Sequence, residues 1–328
     1  MGDALIKSGI GCNFARLLKK KSPNGDHNYL ICNMIKNYSL LSAVVLCVMA
    51  ASCTSAPGNI ATETRSYEDS TQYASLKVDI ELPVAGKGAQ GEIRNSIIGC
   101  LDDQLTRITT YENDKVFPSY TGDKNDTDAL FGYYTSQAFS ILSKAADDDV
   151  NERRSYMEEN DEISPEQLSQ MLEDIPGWEY QYSFKKTDET PSYVVFYSQN
   201  YIYMGGAHGG ITGAGALTFD KKDGHMISSF IDSTNTAAMQ PLLREGLLQY
   251  YNDMNVEMTE DELLESLFIE NGIIPLPSWQ PYPTEKGLLF TYQQYEIASY
   301  AEGMPSFVLP FDKVAPYLTS DAKALLGL

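Results

Sequence analysis

The sequence predicts an α+β fold of antiparallel sheets with packed helices, arranged as two adjoining subdomains. Three observations lead there. Apolar residues alternate with period two in some stretches and recur every three or four residues in others, so strands and amphipathic helices coexist. The strand-like stretches follow one another through turns and are interrupted by helices without strict β-α alternation, which disfavours a doubly wound sheet. A hydrophobic share of 43% over 328 residues supplies a core for one large or two ordinary domains.

Taken in order, "YASLKVDIEL" places Leu76, Val78, Ile80 and Leu82 on one face and stops at Pro83, giving a half-buried strand. Ile93, Ile97, Cys100, Leu101, Leu105 and Ile108 then recur at helical spacing, from about Glu92 to Thr109. The polar "TGDKNDTD" separates this helix from a second beginning near Ala129. In "SPEQLSQML" Ser164 caps, Pro165 suits the first helical position and Gln167 completes a capping box. "TEDELLESL" repeats that logic with Thr259 and Glu262. Between them, Trp178, Tyr180, Tyr182 and Phe184 alternate, and "SYVVFYS" and "NYIYM" flank a polar turn expected at Gln199–Asn200. "ALTFDKKDGHMIS" reads as a hairpin about Asp223–Gly224. A helix in "AAMQPLLREGLLQYY", the strands "LLFTY" and "SFVLP", and a short helix near Val314–Leu318 complete the chain.

The front of the chain reads as targeting sequence. "MIKNYSLLSAVVLCVMAASC" has Met34, basic Lys36, an apolar run from Leu40 to Ala51 and small residues before Cys53. This is a signal-peptide layout, too short for a comfortable membrane span. Its "AASC" ending resembles a bacterial lipobox, which would make Cys53 a lipidated first residue; an ordinary secretory signal is the alternative. The expected division is therefore a start-site extension over 1–33, a lipoprotein signal over 34–52 and a flexible tether over 53–66. An N-terminal α+β domain follows over 67–200 and a C-terminal one over 201–328. The expected location is the cell envelope, exported and lipid-anchored at the outer membrane or a periplasmic face.

Charge narrows the partners. The whole chain carries −21. Without residues 1–52, which hold six Lys/Arg and two Asp/Glu, 18 basic and 43 acidic residues remain, a net charge of −25. Nucleic acid, which needs clustered cations, is excluded as a partner. Attachment to a membrane is expected through the acyl anchor on Cys53, because an anionic surface repels phospholipid headgroups. Cys12, Cys32 and Cys47 precede Cys53, so Cys100 stands alone and no disulfide framework or cysteine metal site is expected.

Three stretches carry a resemblance: "YIYMGGAHG…LTFDKKDGHMI", "WQPYPTEKGLLFTYQQYEIASYAEG" and "SFVLPFDKVAPYL". Together they resemble the extracytoplasmic domain of RsiV-type anti-sigma factors, the domain-of-unknown-function 3298 family. The early strand, "EIRNSI" and "YVVFYSQNY" are similar to the companion domain, family 4163, that precedes it and also occurs beside polysaccharide deacetylase modules. The resemblance implies an envelope-binding domain, with lysozyme as the RsiV ligand. No cytoplasmic sigma-binding region is expected from these residues, so no sigma-factor role is carried over from the resemblance.

Two stretches are candidate sites. "YMGGAHGG" sets His208 among Gly205, Gly206, Gly209 and Gly210. His225 is the other histidine after the leader, too few for a zinc centre, and no G-x-S-x-G elbow accompanies a hydrolase reading. A tight turn, with His208 bonding to nearby backbone, fits the glycines; a binding loop is the other reading. "YQQYEIASYAEG" offers Tyr292, Tyr295, Glu296 and Tyr300, aromatic faces and a carboxylate suited to sugars or a basic protein surface; the other reading has Tyr292 and Tyr295 covering the sheet while Glu296 pairs locally. A lone carboxylate does not make a glycosidase. "ADDDVNE" lacks a calcium-loop frame and reads as a solvated helical face. No cofactor, metal or catalytic residue is assigned. The expected function is non-catalytic recognition of a lysozyme-like cationic protein or wall glycan, with an enzyme acting on envelope polysaccharide as the alternative.

Overall fold

The computed structural model describes residues 58–109, 114–160, 163–205 and 209–328. Cys53 and the leader lie outside these residues. Among those described, no helix is long and apolar enough to cross a membrane.

Strand β1 (Thr62–Ser70) pairs antiparallel with β2 (Ala74–Pro83), whose Leu76, Val78, Ile80 and Leu82 are buried as their alternation requires. Three helices follow: α1 (Ala89–Leu105), α2 (Thr127–Asn160) and α3 (Pro165–Glu173). The chain then returns as β3 (Trp178–Glu189), β4 (Tyr193–Tyr203) and β5 (Ile211–Asp220), in the sheet order β1-β2-β3-β4-β5. Every neighbouring pair is antiparallel except β2–β3, which is parallel because the helical crossover brings β3 in beside β2 in the same direction.

The C-terminal part holds α4 (Gln240–Asp253), α5 (Glu260–Ser266) and the antiparallel sheet β6 (Tyr282–Thr284), β7 (Gly287–Thr291), β8 (Ser306–Leu309). The expected terminal helix is three short helical turns: α6 (Phe311–Val314), Ala315–Tyr317 and α7 (Ser320–Leu326). Pro316 breaks the run and Thr319 recaps it. Both expected capping boxes form, Ser164 with Gln167 and Thr259 with Glu262.

Two features depart from the sequence reading. The tether was expected to reach residue 66, yet β1 begins at Thr62 and Ile60 is buried. β1 is an edge strand with no fully buried face, so it lacks the apolar alternation that marks β2. Polar bonds secure it instead: buried Arg94 donates to Glu63 at 3.0 Å and to Thr127 at 2.8 Å, joining β1, α1 and α2. Second, no turn occurs at Gln199–Asn200. β4 runs straight through, with Gln199 paired to Ser183 and Ala214, and Asn200 to Tyr182 and Gly213. In a central strand both neighbours satisfy the backbone, so two polar side chains do not break it.

That continuity unites the molecule. Val194 and Phe196 join the core formed by β2, β3, α1 and α2, while Tyr193 and Val195 join the core of α4, β7 and β8. One strand thus feeds both cores, each buried side chain contributing about 1.5–3 kcal/mol. The expected division at 200/201 falls inside this strand.

Candidate functional site

The two candidate stretches, some ninety residues apart, meet at one end of the large sheet. The segment after β7 lies along the outer edge of β5. Gln293 accepts from the Ala214 N–H at 2.8 Å and donates to its carbonyl at 2.7 Å; Gln294 accepts from the Thr212 N–H at 2.7 Å. At the far end of β5 the chain covers its own edge, with Ile227 bonding to Thr218 and Asp220 to His225. Side-chain amides therefore do what a sixth strand would do.

Glu296 holds this segment in shape. Its carboxylate accepts from the Ser278 N–H at 2.6 Å and the Gln293 N–H at 2.7 Å. Burial pushes its carboxyl above the ordinary value, and those same bonds oppose the shift. Tyr292 is fully buried and donates to the Pro275 carbonyl at 2.8 Å; burial raises its hydroxyl strongly. Both were candidate ligand contacts, with sheet cover and local pairing as the other reading. The structure favours the latter, with Tyr292 a core residue and Glu296 a brace whose two oxygens are engaged by backbone.

Tyr295 and Tyr300 are different. Both are half-buried, with ring centroids 5.7 Å apart. Tyr295 has φ +63°, a left-handed conformation that costs an aromatic residue about 1–2 kcal/mol. The Glu296 and Gln293 bonds on either side hold it there. Tyr300 donates to the Gly210 carbonyl at 2.8 Å. At Gly210 a Cβ would fall inside the Tyr201 ring, and at Gly209 it would press on the Tyr300 hydroxyl, so glycine is required at both. Gly205 takes φ +73°, as a turn demands. Gly206 and His208 lie outside the described residues.

Sequence reading missed five neighbours: Tyr201, Tyr203, Trp178, Asp149 and Arg153. Tyr201 and Tyr203 end β4, opposite Gln181 and Glu179 on β3. Burial raises the Tyr201 hydroxyl, then the Glu179 charge, with a Gly210 backbone bond opposing. Close to Gly205, Trp178 donates to Asp149 at 3.3 Å and Arg153 pairs with the same carboxylate at 2.9 Å. Trp178, Tyr201 and Tyr203 were legible as strand residues and Asp149 as part of a helical face, but only the packing of β3, β4 and α2 places them beside the glycines. Among the described residues the result is a partly exposed aromatic surface with amide and acidic groups.

One group of metal-ligating type occurs among the described residues. Atoms of Asp220, Asp223 and His225 lie within 4.8 Å of one another, at the opposite end of β5. Their carboxylates also organise the hairpin: Asp220 accepts from the Lys222 N–H at 2.7 Å, and Asp223 from the His225 N–H at 3.0 Å.

Comparison with known proteins adds the following. Residues 231–312 match the family described as protein of unknown function (DUF3298), and residues 68–210 match the family described as deacetylase PdaC. A DUF3298-family structure from Bacteroides fragilis aligns with a TM-score of 0.58 and 17% identity, covering 80% of this chain and 95% of that one. Another, from Pseudomonas aeruginosa, aligns with a TM-score of 0.49 and 13% identity, covering 80% and 96%. No curated protein matches. The first likeness shows a shared fold.

Proposed function

We propose that this chain is a lipid-anchored, non-catalytic binding protein of the cell envelope, exported and held at a membrane through Cys53. Its ligand is a cationic protein of the lysozyme type, met by the surface of Tyr201, Tyr203, Tyr295 and Tyr300. The observation that carries this reading is Tyr295, held in a left-handed backbone with its ring against Tyr300 above Gly209–Gly210. Strained aromatic residues braced by their surroundings concentrate at ligand-binding surfaces. The net charge of −25 after the leader favours a cationic partner, and the RsiV resemblance of the C-terminal stretches agrees with that chemistry.

The test is association of the mature chain with lysozyme across a salt series, with an acidic protein of similar size as control. Association slows as the Debye length falls from about 10 Å at 0.1 M to about 3 Å at 1 M salt. Tyr295→Ala raises the off-rate about tenfold, equivalent to about 1.4 kcal/mol. Equal binding to the acidic control, or an unchanged off-rate in Tyr295→Ala, overturns the reading. Binding to soluble wall-glycan fragments with no binding to lysozyme would reassign the same surface to glycan.

The match of residues 68–210 to a family named for a deacetylase favours one second reading, an enzyme acting on envelope polysaccharide. Acetate released from N-acetylated wall glycan by the purified chain decides for it.

A further inference from the structure

The end of the molecule opposite the tyrosines has three properties that belong together. The chain enters there. The Ile60 N–H donates to Glu189 at 2.7 Å and Lys186 donates to the Ile60 carbonyl at 3.0 Å, so the N-terminal segment is clamped beside the β3–β4 turn. Lys221 closes the clamp, 2.8 Å from Glu189. Ile60 lies seven positions after Cys53, a span of at most about 25 Å. Glu179, at the tyrosine end of β3, is ten residues from Glu189, about 33 Å along the strand. An anchor on Cys53 therefore cannot reach the tyrosine end.

The same β3–β4 turn borders an apolar groove of about 280 Å³. Pro191, Ser192, Phe311, Leu325, Leu326 and Leu328 are among its lining residues. Leu328 is 56% exposed.

Charge gives the third property. The segments around the groove, residues 185–192, 220–224 and 311–328, contain Lys185, Lys186, Lys221, Lys222, Lys313 and Lys323 against six Asp/Glu side chains. Their side chains sum to zero, whereas the chain beyond the leader carries −25. An anionic leaflet repels this end less than the rest of the molecule.

We infer that the Pro191–Leu328 groove end is the membrane-facing surface, resting its leucines in the phospholipid headgroup region and holding the tyrosine surface away from the bilayer. This rests on the proposed anchor at Cys53. Interfacial apolar groups enter the headgroup boundary by roughly 5–10 Å, enough for Leu326 and Leu328 while the strands stand outside it.

The experiment is lysine acetylation read by mass spectrometry on the full chain as produced in a bacterial envelope. The chain is reconstituted on phosphatidylcholine–phosphatidylglycerol vesicles and compared with soluble Cys53→Ala. Lys222 and Lys323 become several-fold less reactive on vesicles, and Lys144, on the distal half of α2, does not change. Leu328→Glu, at an exposed terminal position, still floats with vesicles but loses that protection. Flotation with uniform lysine reactivity, or with Lys144 protected instead, overturns the orientation and leaves the anchor intact. A parent chain that fails to float overturns the anchor and the orientation with it. Protection of Lys222 and Lys323 in envelopes but not on pure lipid vesicles overturns the lipid assignment in favour of a protein occupant.

Discussion

Gln293 grips Ala214 at both ends of one residue, accepting its N–H at 2.8 Å and donating to its carbonyl at 2.7 Å across 79 positions of sequence. All four groups are buried. This side chain covers the middle of the β5 edge, beside the Gln294–Thr212 bond, and leads into the loop that carries Tyr295.

Gln293→Ala leaves the Ala214 N–H and carbonyl without partners and costs about 2–4 kcal/mol. Gln293→Glu keeps the acceptor but turns a carboxylate toward the Ala214 carbonyl, and is at least as destabilising. Urea denaturation measures both. Faster amide exchange at Ala214 in the two variants, against no change at Val78, is the local readout.

Glu296 gives a pH signature. Its carboxyl is raised in the folded chain relative to the ordinary 4.5, with burial the main cause. The folded state then binds the proton more tightly than the unfolded one, so this residue favours the fold at low pH. Its contribution falls as pH rises from about 4.5 through the folded-state value. In Glu296→Gln that decline disappears from the pH profile of stability, while one of the two N–H bonds is lost at every pH. A parent and variant with parallel profiles between pH 4 and 7 would contradict the assignment.

Gly210→Ala forces its new methyl into the Tyr201 ring and breaks the seat of Tyr300. A loss of about 1–3 kcal/mol is expected from overpacking. Tyr300→Phe, which removes only the bond to the Gly210 carbonyl, costs about 1 kcal/mol. Thermal unfolding of the two variants separates the steric effect from the hydrogen bond.

Cys53→Ala moves the protein from the membrane fraction to the soluble fraction, or leaves it unprocessed at the larger size. Deleting residues 1–33 changes neither location nor size of the mature product. Fractionation and immunoblotting of both variants provide the check, and a membrane-bound Cys53→Ala product of mature size would refute lipidation there.

What the sequence determined by itself is what neighbouring residues impose on one another. Leu76 to Leu82 alternate because one face of β2 is buried, and the Ser164–Gln167 and Thr259–Glu262 caps close within three residues, so each was readable. The α+β class followed from those local periods. Tertiary structure decided everything that depends on which surfaces meet. β1 carries no periodic signal because it is an edge strand anchored by Arg65 and Arg94. Gln199–Asn200 reads as a turn in isolation and is strand only because β3 and β5 flank it. Of the expected aromatic site, Tyr292 went to the core, Glu296 to the loop backbone, and Tyr295 and Tyr300 to the surface. Four nearly equivalent polar and aromatic positions were sorted by burial, which no window of sequence contains, because the burying atoms come from Pro275, Ser278 and Gly210, up to ninety residues away.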